Sequence, residues 1–204
     1  NYTGIVNLAS LPAFPTLVRL SLEYNPSLSS LAGLESLTTI TDSLTITNND
    51  ALANLLALAQ LSEVGGDLIL HENPGLADLG GLEQLGSVGG KLELGGCGLF
   101  GGEVDSPTAK PIGTPAITSL AGLTSLAHVG GLLIAGNELL VSLDGAPSLI
   151  TVGEHGVGIH DNPMLPPAIT QAFVYELAVA GDIQVCDQEG NEDCYWCISG
   201  NTPQ

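Results

Sequence analysis

From Leu17 to Leu28 the chain reads Leu-x-x-Leu-x-Leu-x-x-Asn-x-x-Leu. Apolar and polar positions alternate across a short strand at Leu20 and Leu22, and Asn25 then turns the chain. The phrase returns as Leu44-x-Ile46-x-x-Asn49, Leu68-x-Leu70-x-x-Asn73 and Leu92-x-Leu94-x-x-Cys97. After an interruption come Leu132-x-Ile134-x-x-Asn137 and Val157-x-Ile159-x-x-Asn162, with a weaker copy at Ile183-x-Val185-x-x-Gln188. The turn positions 25, 49, 73, 97, 137, 162 and 188 are spaced by 24, 24, 24, 40, 25 and 26. A fixed period of this size is the mark of stacked repeats.

After each turn an apolar residue recurs every third position, as in Leu28, Leu31, Leu34, Leu37 and Ile40, or Leu76, Leu79, Leu82, Leu85 and Val88. Gly33, Gly81 and Gly122 sit inside these runs, and the runs are short and often broken. They predict extended or 3₁₀-like arcs that drop one Leu inward per turn. The arcs end in Val64-Gly65-Gly66, Val88-Gly89-Gly90 and Val129-Gly130-Gly131, where the Gly pairs predict corners taken through positive φ. Stacking buries the leucines at about 1.5–3 kcal/mol each. A column of turn amides satisfies backbone groups that a buried turn would leave unpaired, with Cys97 expected as a buried free thiol in that column.

The expected fold is therefore mainly β: a right-handed parallel β-helix of about seven 24-residue coils with one main sheet. It forms a single solenoid domain over residues 1–204, with an N-terminal cap at 1–16, coils over 17–165, and a helical, Cys-containing C-terminal cap at 166–204. Residues 98–116 break the period and predict a loop that leaves the solenoid. A helix near 167–180 is marked by Pro166-Pro167 at its start, an apolar face of Ala168, Ala172, Phe173 and Leu177, and Gly181 at its end.

Charge narrows the function classes. Against 22 acidic residues stand three basic ones, Arg19, Lys91 and Lys110, for a net charge of -19. Nucleic acid and anionic membranes would be repelled. No apolar run approaches a membrane span. The chain starts at Asn1 without Met, so removal of a signal or upstream segment is expected. Four Cys, three of them crowded at the end, suggest an oxidising compartment and hence a secreted or cell-surface protein.

The repeated phrase is similar to the leucine-rich-repeat signature, with Cys97 as a permitted substitute for Asn. Its extension, as Asn-Pro-x-Leu at Asn25 and Asn73 followed by Leu-x-Gly-Leu-x-x-Leu-x-x-Val-x-Gly, resembles the receptor L-domain. That family is the right-handed β-helix of the ligand-binding halves of insulin- and growth-factor-type receptors, also found in fungal cell-wall and bacterial surface proteins. The resemblance covers roughly residues 17–165 and implies binding or surface display without catalysis. The 98–116 insertion and the C-terminal Cys segment depart from it.

His71 and His160 share a column but lie on the order of 14 Å apart, at three strand spacings, too far for one ion; His128 and His155 have no evident partner. Cys194-Tyr195-Trp196-Cys197 is a C-x-x-C without a βαβ context. With Cys186 nearby it reads as a structural disulfide clamping the C-terminal cap, the pairing among Cys186, Cys194 and Cys197 being open. Asp187 to Asp193 only vaguely matches a calcium loop. The outward column Ser21, Thr45, Ile69, Glu93, Leu133, Gly158, Gln184 is not the flat Thr ladder of an ice binder, and a polysaccharide-active β-helix would need a basic group among clustered carboxylates.

Three function classes follow. First is a non-catalytic extracellular binding or adhesion module recognising a protein or glycan, with no cofactor. Second is a structural surface protein that self-associates, and third a polysaccharide-active enzyme. Recognition is expected from what breaks the repeat: Phe100, Glu103 and Asp105 in the insertion, with Asp67, Ile69, His71, Lys91 and Glu93 on the adjoining sheet face.

Overall fold

The computed structural model describes residues 4–97, 111–114 and 116–185. The repeat closes into a parallel β-solenoid of about six turns, fewer than the seven expected. The seventh copy supplies a strand and no described turn.

Among the described residues, the coils contribute strands to two lines of one 12-stranded sheet. The shorter line holds β1 (Thr16–Leu17), β3 (Thr39–Ile40), β5 (Glu63–Val64), β11 (Thr151–Val152) and β13 (Ala178–Val179). The longer line holds β2 (Leu20–Glu23), β4 (Leu44–Thr47), β6 (Leu68–His71), β12 (Val157–His160) and β14 (Ile183–Val185). In the middle of the stack, β7 (Ser87–Leu94) and β10 (His128–Ala135) run through both lines. The single main sheet expected from the Leu-x-Leu phrase is thus joined by a second line built from the residues before each Gly pair. All these pairings are parallel, and the outward column runs in register from Ser21 through Thr45, Ile69, Glu93, Leu133 and Gly158 to Gln184.

The three-residue spacing of the arcs has a hydrogen-bond cause. The Leu34 amide donates to the Leu31 carbonyl and that of Leu37 to Leu34; Leu58 and Leu61, Leu82 and Leu85, and Leu123 and Leu126 repeat the pattern. Such i→i+3 bonds set three residues per turn, so every third side chain points the same way. That way is inward: Leu31, Leu34, Leu58, Leu82 and Leu123 are all at most 2% exposed. The inward leucines and strand residues form one continuous apolar core from Leu8 to Leu165.

The Gly pairs work differently from the expectation. None of Gly65, Gly66, Gly89, Gly90, Gly130 and Gly131 is among the positive-φ residues. They are required because successive coils touch at this corner. A Cβ on Gly89 would stand 2.2 Å from the Gly65 carbonyl oxygen, and one on Gly130 would stand 2.3 Å from that of Gly89. Positive φ falls instead on the arc glycines, such as Gly81 at +108°.

At the turn column, Asn49 Nδ2 donates to the Leu22 carbonyl of the coil before at 2.9 Å, and Asn73, Asn137 and Asn162 make the same bond to Ile46, Leu94 and Ile134. The fourth place in this column belongs to Thr114 and not to Cys97. The Thr114 hydroxyl donates to the Leu70 carbonyl at 3.2 Å. Its carbonyl accepts the Ile117 amide, as Asn73 accepts that of Leu76. Coil four leaves the stack early: Gly95 takes φ +87°, and β8 (Gly96–Cys97) pairs antiparallel with β9 (Pro111–Ile112). The insertion therefore has a hairpin base, and it lies between the strand of coil four and its turn.

The helix is shorter than expected. α1 spans Pro167–Tyr175, because Ala178 and Val179 are drawn into β13 against β11. Its inward side is Ile169, Thr170, Phe173 and Val174, with Leu177 beyond its end, while Ala168 and Ala172 are exposed. Among the described residues no helix is long and apolar enough to cross a membrane.

Candidate functional site

The longer strand line has an outward face whose character changes along the stack. Ser21 and Glu23 on β2 are exposed, Ile69, His71, Lys91 and Glu93 on β6 and β7 are half-buried, and Gly158 and His160 on β12 are buried. Of the five sheet residues named from the sequence, Ile69 and His71 lie on β6, Lys91 and Glu93 on β7, and Asp67 just before β6. Ile69 stands directly opposite Glu93, with Thr45 on its other side. Phe100, Glu103 and Asp105, and the three cysteines Cys186, Cys194 and Cys197, lie outside the described residues, as do residues 187 to 193.

Asp67 is turned into the structure. Its carboxylate accepts the Lys91 amide at 2.8 Å, and its own amide donates to the Ser43 hydroxyl at 3.3 Å. Gly90 leaves room for that carboxylate, since a Cβ there would stand 2.2 Å from Asp67 Oδ1. Asp67 thus stitches coils two, three and four at the corner. Ile69, His71, Lys91 and Glu93 remain as the set facing outward.

Burial shifts two of these. The Glu93 carboxyl is held above its ordinary range because it is partly withdrawn from water; Lys91 opposes the shift and Asp67 adds to it. The His71 imidazole is pushed below its ordinary value, again by burial, with Glu72 and Glu23 opposing. His71 Nδ1 is 3.7 Å from Glu72 Oε2, beyond hydrogen-bond reach, and is buried without a hydrogen-bond partner. At the N-terminal end of the stack, Arg19 pairs with Asp42. The Asp42 carboxyl is lowered first by the Ser43 hydroxyl that donates to it at 3.0 Å and then by Arg19.

The hairpin base borders this set. A Cβ on Gly96 would stand 3.9 Å from His71 Cδ2, and the Glu72 amide donates to the Gly113 carbonyl at 2.8 Å. The sheet face and the start of the insertion therefore form one continuous surface at His71.

The alternation of apolar positions does not single out the residues just before each turn Asn. Tyr24, Asn48, Glu72 and Asp161 all hold φ between +54° and +57°, a conformation uncommon for residues other than Gly. Glu72 accepts the Asn48 side-chain amide at 2.7 Å. Tyr24 is 74% exposed, an aromatic ring on the rim of the face. The signal was available, since these residues fall at one fixed place in the period.

His71 and His160 do share a column, three strand steps apart. His160 Nδ1 lies 2.7 Å from Asp161 Oδ2. Among the described residues no three His, Cys, Asp or Glu side chains gather as a metal site. The chain has no match among protein-family models, curated proteins or solved structures.

Proposed function

We propose that this chain is a non-catalytic binding module, secreted or displayed at a cell surface, that recognises a protein or glycan with the outward face of β6 and β7 and the hairpin beside it. One observation carries the reading. An apolar side chain, Ile69, lies among His71, Lys91 and Glu93 on a rigid sheet, and the insertion leaves the coil at the edge of that set. Parallel strands fixed by their neighbours on both sides hold such a set with little ordering cost on binding. An apolar centre with a polar rim is the usual anatomy of a recognition patch. The resemblance of the repeat to receptor L-domains points the same way, and the crowded cysteines favour an oxidising compartment.

The test is a glycan array and a pull-down with candidate surface proteins, comparing the parent with Ile69→Thr and with a chain lacking residues 100–109. Both variants should keep the parent's circular dichroism and melting temperature while binding at least about tenfold more weakly, or about 1.4 kcal/mol. Undiminished binding by both variants would move the site elsewhere.

A further inference from the structure

We propose that copies of this chain join end to end, the C-terminal edge of one stacked on the N-terminal edge of the next. Among the described residues, β14 pairs only with β12 and β2 only with β4; β13 and β1 end the shorter line in the same one-sided way. An unpaired strand edge is a template for another strand.

The apolar columns break off at these edges. Leu44, Leu68, Leu92 and Val157 are at most 1% exposed, yet Ile183, next in that column, is 51% exposed. In the neighbouring column Ile46, Leu70, Leu94 and Ile134 are fully buried, while Val185 is 36% exposed. At the other end Leu17 and Leu20 are only half-buried.

A second copy fits this edge for reasons of geometry and of charge. All strands in both lines are parallel, so the β13–β14 edge is continued by a coil of the same sense and two-strand layout. The β1–β2 edge offers that layout, with Thr16–Leu17 under Ala178–Val179 and Leu20–Leu22 under Ile183–Val185. β1 and β2 are one residue closer in sequence than β13 and β14, but the same offset is already accommodated where β1 and β2 stack on β3 and β4. Stacking also places Asp182, just before Ile183, against Arg19, just before Leu20. Arg19 is one of three basic residues in the chain, and its side chain is 64% exposed although it pairs with Asp42. Two different edges meet, so the contact is heterologous and does not close on itself.

This contact uses the ends of the stack and not its face, so it stands apart from the ligand-binding reading. Sedimentation velocity over a wide concentration range tests it, at about 0.15 M salt, where a screening length of about 8 Å limits repulsion between acidic copies. The parent should grow in mass with concentration without reaching a plateau. Ile183→Asp, at an exposed position, should keep the parent's melting temperature and stay monomeric. Arg19→Asp and Asp182→Arg should each weaken association by about tenfold, and the double reversal should recover most of it. A parent that stays monomeric throughout, a dimer that grows no further, Ile183→Asp assembling like the parent, or a double reversal no better than the single ones would each overturn the proposal.

Discussion

The Thr114 amide donates to the Asn137 side-chain oxygen across 2.9 Å, the bond that Asn137 in turn makes to Asn162 across 3.1 Å. A threonine thus carries the amide column through coil four, its hydroxyl taking the role of an Asn side-chain N–H toward the coil before. Thr114→Val should take this second donor from the buried Leu70 carbonyl, which keeps the Gly95 amide at 2.9 Å, and cost about 0.5–1.5 kcal/mol in urea unfolding. Thr114→Asn should unfold at least as late as the parent. A valine variant with the parent's urea midpoint would mean that the hydroxyl bond contributes nothing.

The insertion should be removable only as far as the hairpin. Deleting residues 100–109 leaves three residues to join Cys97 to Pro111 and spares Gly113 and Thr114, and loop closure changes by only about 0.6 kcal/mol per doubling of length. The melting temperature should therefore stay within a few degrees of the parent. Deleting 99–115 also removes the residue that closes coil four and should melt well below the Thr114→Val variant. Equal melting of the two deletions would remove Thr114 from the column.

Period and register were legible in the sequence because a stack repeats its core. Once Leu20 and Leu22 are inward, the outward column from Ser21 to Gln184 follows. The position of the insertion was not legible. Cys97 stands at the expected spacing, and only the return of the chain at Gly113 shows that the turn is made by Thr114. The reason for the Gly pairs was not legible either, for a related cause. Close approach between coils and positive φ both demand Gly, and a sequence does not distinguish them. At the site, the grouping of Ile69, His71, Lys91 and Glu93 was visible from alternation, whereas the inward turn of Asp67 depends on the space left by Gly90.

The close approach between coils can be measured on two glycines three residues apart, neither of which has positive φ. A Cβ on Gly86 would meet only the Ser62 carbonyl oxygen, at 3.6 Å, while one on Gly89 would stand 2.2 Å from the Gly65 carbonyl oxygen. Gly86→Ala should be neutral or stabilise by up to about 1 kcal/mol. Gly89→Ala should destabilise by about 1–3 kcal/mol or more. Similar denaturation midpoints for the two would show that the corner yields freely.

Acid should act on this fold through His71 and Glu93 with opposite signs. The folded His71 resists protonation, so as pH falls below its ordinary value of 6.5 the unfolded chain binds a proton that the folded one does not. Stability is fully present above that pH and declines below it until the folded pKa is passed; His71→Gln should remove this slope. The folded Glu93 keeps its proton above its ordinary value of 4.5, so stability falls as pH rises from there to the raised pKa and stays constant at the lowered level beyond it. Glu93→Gln should be more stable than the parent at pH 7 and level with it below pH 4.5. Urea midpoints across pH 4–8 would show both, and a parent-like profile for either variant would refute its assignment.

Among the described residues, every strand of the two lines bonds only to strands one coil away. Motion in such a stack is graded along its axis, because a coil can open only when a neighbour's hold is already lost. Backbone amides of β1, β2, β13 and β14 should exchange with solvent first, through fraying. Those of β6, β7 and β10 should exchange last, near the rate of global opening. The surface proposed to bind a ligand therefore sits where the molecule is slowest to breathe, and the ends proposed to meet sit where it is quickest.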